Sequence, residues 1–214
     1  DGNASDVGDL TEARTQSAGQ HSSSHGYTSG GAGPSNVIDK FPFSSDANAT
    51  DVGDLTRSTN GSSGQSSSTD GYTSGSTPGF SYFDNVIDKF PFSSDANAAD
   101  VGDLTQARAY LSGQSSTSHG YASGGNIYPG NVNIIDNFPF ASNDDASDVG
   151  DLFVTRQSTT GQSSTSNGYA SGGSTFPPFG VNATIDKFPF SSNNNASDVG
   201  DLTSARSGPA GQQV

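Results

Sequence analysis

Cysteine, methionine and tryptophan are absent from this chain, and only 8 of its residues are Lys or Arg. Without cysteine there is no disulfide, no thiolate metal site and no cysteine nucleophile, and the redox compartment cannot be read from cysteine usage. Those few bases face 22 Asp and Glu, a net charge of -14. Such a charge repels phosphate backbones and anionic bilayers, so no nucleic acid and no membrane is expected as a partner, while cationic ligands and divalent metals fit better. Long apolar runs are missing as well. The apolar segments are about seven residues long, against the roughly 20 that a membrane helix requires, which reads as a soluble protein without membrane insertion. Sustained apolar spacing at three and four residues is also missing, so almost no helix is expected. Hydrophobic residues make up 29%, and composition alone leaves disorder open. The chain opens on Asp1 with no initiator Met or charged leader, as a mature form, a fragment or part of something longer would.

What is present is a repeat, and its regularity argues against disorder. VGDL begins at Val7, Val52, Val101, Val149 and Val199, at spacings of 45, 49, 48 and 50 residues. Between these copies lie a G-Y-x-S-G element from Gly26, Gly71, Gly120 and Gly168, and an I-D-x-F-P-F element from Ile38, Ile87, Ile135 and Ile185. Residues 1–214 therefore read as one array of four full repeats plus an extra terminal segment. A period of about 48 residues lies in the range of propeller blades with four strands each. The expected fold is all-β, a β-propeller-like array of four-stranded blades.

Four short strands are predicted per period: Asp9 to Arg14, Ser22 to Gly30, Asn36 to Phe43, and Asp51 to Leu55 running into the next copy. Alternation in VIDKFPF puts Val37, Asp39, Phe41 and Phe43 on one face and Ile38, Lys40 and Pro42 on the other, one of them facing the core. Pro42, lacking a donor, belongs near a strand end. The segments between G-Y-x-S-G and I-D-x-F-P-F vary most between copies and carry Phe80, Tyr82, Phe83, Tyr128, Phe176 and Phe179. Variable loops on a repeat scaffold are natural recognition surfaces. The competing reading has these aromatics packed over the blade edges.

The succession DLTEAR, HGYTSGG, NVIDKFPF resembles a divergent kelch repeat, in which an Arg-bearing segment precedes a strand ending in Gly-Gly and then a strand with an acidic residue. The double glycine is Gly30-Gly31, Gly124-Gly125 and Gly172-Gly173, broken in the second copy by Gly75-Ser76; Phe41, Phe90, Phe138 and Phe188 stand nearest to the kelch Trp. The chain is also similar, over nearly its whole length, to tandem-repeat structural proteins of aquatic phages and environmental microbes that carry segments like VGDLT, GQSSS and HGY. The kelch resemblance implies a propeller. Four repeats then imply part of a larger ring, a small ring, or an open array completed by neighbouring chains, with the two incomplete ends as the places of closure or joining.

The acidic turns, such as DANATDVGDL from Asp46 and DANAADVGDL from Asp95, offer oxygen ligands at Asp46, Asn48, Asp51 and Asp54 and at Asp95, Asn97, Asp100 and Asp103. That spacing suits a hard cation such as Ca2+, and it resembles the calcium loops of integrin-type propeller repeats, departing from them at the fifth position. The alternative is an Asx-rich turn that caps local backbone donors. Arg14, Arg57, Arg108, Arg156 and Arg206 recur just beyond the VGDL motifs and are expected to neutralise carboxylates between blades. Asn3, Asn48, Asn60, Asn182 and Asn195 open N-x-S/T triplets, glycan acceptors in a secreted chain. His21, His25 and His119 are the only histidines. With Ser and Asp everywhere, a catalytic triad is not singled out, and no catalytic residue is assigned.

The expected function is non-enzymatic: a repeat module of a phage appendage or extracellular filament, at a virion surface or outside the cell. Its partners would be copies of itself, other structural subunits, or surface glycans. The second reading is a soluble carbohydrate-binding module that stacks sugars on its loop aromatics.

Overall fold

The structure, a computed structural model, describes residues 3–33, 35–79, 82–208 and 211. Among the described residues there is no helix, and strands are organised into four four-stranded antiparallel sheets and two short ribbons. The first repeat contributes β1 (Ala18–His21), β2 (His25–Ser29), β3 (Ser35–Pro42) and β4 (Thr50–Thr59). The second contributes β5 (Ser63–Ser66), β6 (Asp70–Gly79), β7 (Tyr82–Pro91) and β8 (Ala99–Asp103). In the third, β9 (Ser112–Ser115) and β10 (His119–Ser123) are followed by the ribbon of β11 (Asn126–Ile127) and β12 (Gly130–Asn131), then β13 (Ile134–Pro139) and β14 (Ser147–Asp151). The fourth has β15 (Thr160–Ser163), β16 (Asn167–Ser171), the ribbon of β17 (Ser174–Thr175) and β18 (Gly180–Val181), then β19 (Thr184–Pro189) and β20 (Ser197–Asp201). Each sheet is a meander in chain order, and each third strand ends at its proline, where the missing N–H costs no ladder bond.

Two strand expectations are corrected. Asp9 to Arg14 forms no strand: Thr11 donates its N–H and hydroxyl to Asp39 and Arg14 pairs with the same carboxylate, whereas the equivalent Asp54 to Thr59 makes the matching bonds to Asp88 while continuing β4. The stretch expected as one strand from Ser22 to Gly30 gives only β2, and the first strand of each sheet is instead the Gly-Gln segment before it. The expectation of one core face is also too simple. Ile38 is buried in a cluster with Tyr27, Leu55 and the next repeat's Phe90, while Phe90 itself lies on the opposite side of its own strand from Ile87. Each inner sheet is sandwiched between neighbours, so both faces are buried.

The joint between successive repeats recurs three times. Tyr27, Tyr72 and Tyr121 stack on Phe92, Phe140 and Phe190 at centroid distances of 4.8, 4.9 and 4.7 Å, with Phe90, Phe138 and Phe188 tilted beside them. Gly26, Gly71, Gly120 and Gly168 leave room for those Phe rings, since a Cβ on Gly71 would sit 2.4 Å from the Phe90 ring.

At the other edge of the sheets the first strands pack on each other in sequence order. Gln20, Gln65 and Gln114 donate from Nε2 to the carbonyls of Tyr72, Tyr121 and Tyr169 in the next repeat at 2.9, 2.9 and 3.0 Å. His21, Ser66 and Ser115 donate their N–H to the hydroxyls of Ser66, Ser115 and Ser163. Glycine is required there: a Cβ on Gly64, Gly113 or Gly161 would lie 2.2, 2.1 or 2.0 Å from the carbonyl oxygen of the glycine one repeat before.

Candidate functional site

Three groups of candidate residues can be followed from the motifs into the fold. The buried one is structural. Asp39, Asp88, Asp136 and Asp186 are all 0% exposed, and each accepts from the segment that enters its sheet from the preceding VGDL. Thr11, Thr56 and Thr105 give both N–H and hydroxyl, the hydroxyls each at 2.6 Å. Arg14, Arg57, Arg108 and Arg156 complete the clamps, Arg108 and Arg156 at 2.8 Å from the carboxylates. The recurrent Arg thus pairs with the I-D-x-F-P-F aspartate rather than with a VGDL carboxylate. Burial pushes Asp88 and Asp186 above the ordinary carboxylate range against the pull of their Arg partners, and burial lowers Arg156. The fourth clamp is incomplete. Phe153 occupies the threonine position and gives only its N–H, so Asp186 Oδ1 has no partner.

The acidic turns are clasps. Asp6, Asp51, Asp100, Asp148 and Asp198 each accept the N–H of the glycine two residues on, an Asx turn at 3.0 to 3.2 Å. Asn48, Asn97, Asp145 and Asn195 accept the N–H of Asp9, Asp54, Asp103 and Asp151 in the preceding copy. The alanines that follow donate to the same aspartates' carbonyls at 2.8 Å. Asp46 and Asp95 are exposed, and Lys40 meets Asp95 at 2.7 Å across a repeat boundary. Asp103 is held above the usual range by burial and by Asp100 and Asp145 nearby. Among the described residues no three His, Cys, Asp or Glu gather into a metal-holding group. Of the triplet asparagines, Asn3, Asn48 and Asn195 are exposed, Asn182 is half-buried against Arg156 and Thr184, and Asn60 is buried.

The third group is exposed. Tyr128 is 88%, Phe179 76%, Tyr82 61% and Phe176 49% exposed, and Phe83 is half-buried; Phe80 lies outside the described residues. Tyr128 and the Phe176 to Phe179 turn cap the two short ribbons, which meet where the Asn131 amide donates to the Ser174 carbonyl at 2.9 Å. Each loop is tied to the chain just ahead of a first strand, through the bridges Thr15 to Ala32, Ala109 to Asn126 and Gln157 to Ser174, and through the Thr77 N–H on the Asn60 carbonyl.

The residue after each of these four ties, together with Gly208, is a feature that the motifs hid. Gln16, Gly61, Tyr110, Ser158 and Gly208 all adopt φ between 51° and 67°, a conformation costly for the three that are not glycine. Each of the last four donates its N–H to the carbonyl of the one before, at 2.6 to 3.2 Å. All five line one cavity of about 560 Å³, walled by neutral polar groups such as Ser62, whose buried hydroxyl has no protein partner. No sequence signal marks Gln16, Tyr110 and Ser158, which share neither side chain nor chemistry. Position relative to the Gly-Gln strand would have aligned them.

The histidines lie elsewhere. His25 and His119 each hydrogen-bond through Nδ1 to the preceding serine hydroxyl, Ser24 and Ser118, at 2.8 and 2.9 Å on an exposed turn. No family model and no curated protein matches the chain.

Proposed function

We propose that this protein is a non-enzymatic structural and interaction module, a β-propeller-like array turned about one axis, whose variable loops face a surface in a phage appendage or extracellular filament. The observation that carries the reading is the common cavity of Gln16, Gly61, Tyr110, Ser158 and Gly208. Sheets stacked straight at about 10 Å would leave the first and fifth of these positions about 40 Å apart. The contacts instead are tighter inside than outside. Backbones touch at hydrogen-bond distance just ahead of the first strands, while aromatic rings hold the sheets apart further out. That wedge makes each repeat turn the same way. Gly211 supports it again: a Cβ there would lie 2.7 Å from the Gly161 carbonyl of the fourth repeat, and the same residue lines a cavity with Gly19, Gln20 and Phe41 of the first.

In this reading most polar groups serve the scaffold, and variation is left to the loops, which are tied to the chain at residues next to those lining the 560 Å³ cavity. Exposed Tyr128, Phe176 and Phe179 on the loops favour the second reading, a carbohydrate binder that stacks sugar rings on aromatics. Solution scattering and light scattering test the first reading: a compact array has a radius of gyration of about 17 Å, and a structural subunit assembles. A strictly monomeric chain that is retained on a glycan array transfers the conclusion to the second. An extended scattering profile removes the axial arrangement.

A further inference from the structure

The cavity bounded by Gln16, Gly61, Tyr110, Ser158 and Gly208 holds more than the joints between repeats require. The backbone at these positions needs only the left-handed conformation, and glycine supplies it at Gly61 and Gly208 without strain. Gln16, Tyr110 and Ser158 adopt the same conformation while bearing side chains, at a cost in backbone strain of the kind that gathers at functional sites. Three residues further on, every copy returns to the same Gly-Gln pair, from Gly19, Gly64, Gly113 and Gly161. The repeat is broken where the chain meets the cavity and kept where one repeat meets the next.

The lining has a definite chemistry. Ser62, Leu111 and Thr159 form its buried floor, while Gln16, Ser207 and Gly208 are exposed at its rim. Among the described residues that line it none is charged, so the cavity offers a cation no carboxylate and an anion no counter-charge, in a chain of net charge -14. What it does offer is hydroxyls on Ser17, Ser62, Ser158 and Thr159, the Gln16 amide, and one aromatic ring, Tyr110. Ser62 is 8% exposed and its hydroxyl has no protein partner. The Thr159 hydroxyl donates to Ser112 at 2.9 Å and keeps its acceptor side. An apolar occupant would leave the Ser62 hydroxyl unpaired and cut off from water, which is costly, whereas an occupant bearing neutral hydroxyls would pair it. The volume of about 560 Å³ falls within the range of small-ligand sites, about 300 to 1,000 Å³. Because the five positions differ in side chain, the site has no repeat symmetry and suits one ligand in one orientation.

We infer that this cavity binds one neutral sugar, the end of an uncharged glycan, with the Ser62 hydroxyl as polar anchor at the floor, Tyr110 as the aromatic wall and the Gln16 amide at the rim. The site deepens the second reading above, moving recognition from the loop aromatics to the axis of the array, and it rests on the arrangement of the repeats about that axis.

The test follows backbone amide resonances of the whole chain during titration with four uncharged disaccharides: maltose, cellobiose, lactose and N,N′-diacetylchitobiose. Expected is saturable one-to-one binding by at least one of them, with the largest shifts at Gly61, Ser62, Tyr110 and Ser158. Ser62→Ala removes a hydroxyl that makes no protein bond, so it should weaken binding about two- to tenfold, the worth of one hydrogen bond, without lowering the melting midpoint. Ser158→Gly should weaken binding too, while the midpoint stays level or rises, because glycine takes the left-handed conformation without strain. A purely structural role for these side chains gives the reverse, a lower midpoint with binding unchanged, and overturns the proposal. Absence of binding by all four sugars overturns it as well. Binding lost on Tyr128→Ala and Phe179→Ala but indifferent to Ser62→Ala and Ser158→Gly puts the sugar on the loops, which overturns the cavity site and keeps the second reading. Scattering separates the remaining two ideas: a compact chain that binds none of the sugars rejects the site alone, and an extended profile rejects the axial arrangement and the site with it.

Discussion

Replacing Phe153 with threonine should make the protein more stable, although it removes an aromatic side chain. Thr11, Thr56 and Thr105 each give a hydroxyl at 2.6 Å to the buried aspartate of their sheet; at the fourth copy Phe153 is 64% exposed and Asp186 Oδ1 goes without a partner. A hydrogen bond to a charged group contributes about 1.5 to 3 kcal/mol. Against that, the buried third of the Phe side chain is lost, about 0.5 to 1 kcal/mol. The net gain is about 1 to 2 kcal/mol, or about 2 to 8 °C in melting midpoint for a chain of this size. The pH dependence carries a sign. Burial raises Asp186 above its unfolded value, so folding takes up a proton, and this group's contribution is fullest below the unfolded pKa and declines as pH rises through the folded one. The added hydroxyl favours the ionised form and lowers that folded pKa, so the advantage of Phe153→Thr should grow with rising pH and shrink in acid. Thermal unfolding of both proteins across acid to neutral pH, with carboxyl titration by NMR, reads both effects. A midpoint unchanged or lowered at neutral pH, or a gain independent of pH, refutes the clamp as the reason for the threonines.

Four further outcomes follow from the same contacts. Thr105→Val leaves Asp136 short of its hydroxyl donor and should cost about 1 to 3 kcal/mol, measured by urea unfolding. Gly113→Ala puts a Cβ 2.1 Å from the Gly64 carbonyl oxygen and should cost about 3 kcal/mol, the upper end of overpacking, whereas Gly19→Ala, with nothing within 4 Å, should change the midpoint little. Gln65→Ala removes the Nε2 donor to the Tyr121 carbonyl and to Ser63 and Ser74, for about 1 to 3 kcal/mol, seen also as faster amide exchange in β5 and β10. Asn48, Asp51, Asn97 and Asp100 already accept backbone N–H groups, so melting with and without a chelator should give the same midpoint; a drop on chelation would assign these turns to calcium.

The motifs that stood out in the sequence turned out to be places where one repeat holds the next. VGDL and the Asn-Ala of the following copy form a clasp, and the Tyr and the Phe-Pro-Phe form the aromatic joint. Their recurrence was legible because each copy must satisfy the same neighbour. The first strand was not legible. Its Gly-Gln pair has low strand propensity and no alternation, and it is held in place by backbone approach to another repeat some fifty residues away. Alternation puts the aspartate of I-D-x-F-P-F on one face with the two Phe but says nothing of its partner; it is buried because both faces of the sheet are covered, and its charge is answered by the arginine that follows the preceding VGDL.

The sequence by itself determined an all-β chain of repeated antiparallel units, since period, alternation and turn residues are local properties that each copy carries whole. Tertiary structure alone decided which polar residues are buried, which glycines admit no side chain, and that five unlike residues share one left-handed conformation around a cavity. Those features depend on what faces each residue across a repeat boundary, and the identity of a residue does not encode its neighbour in space.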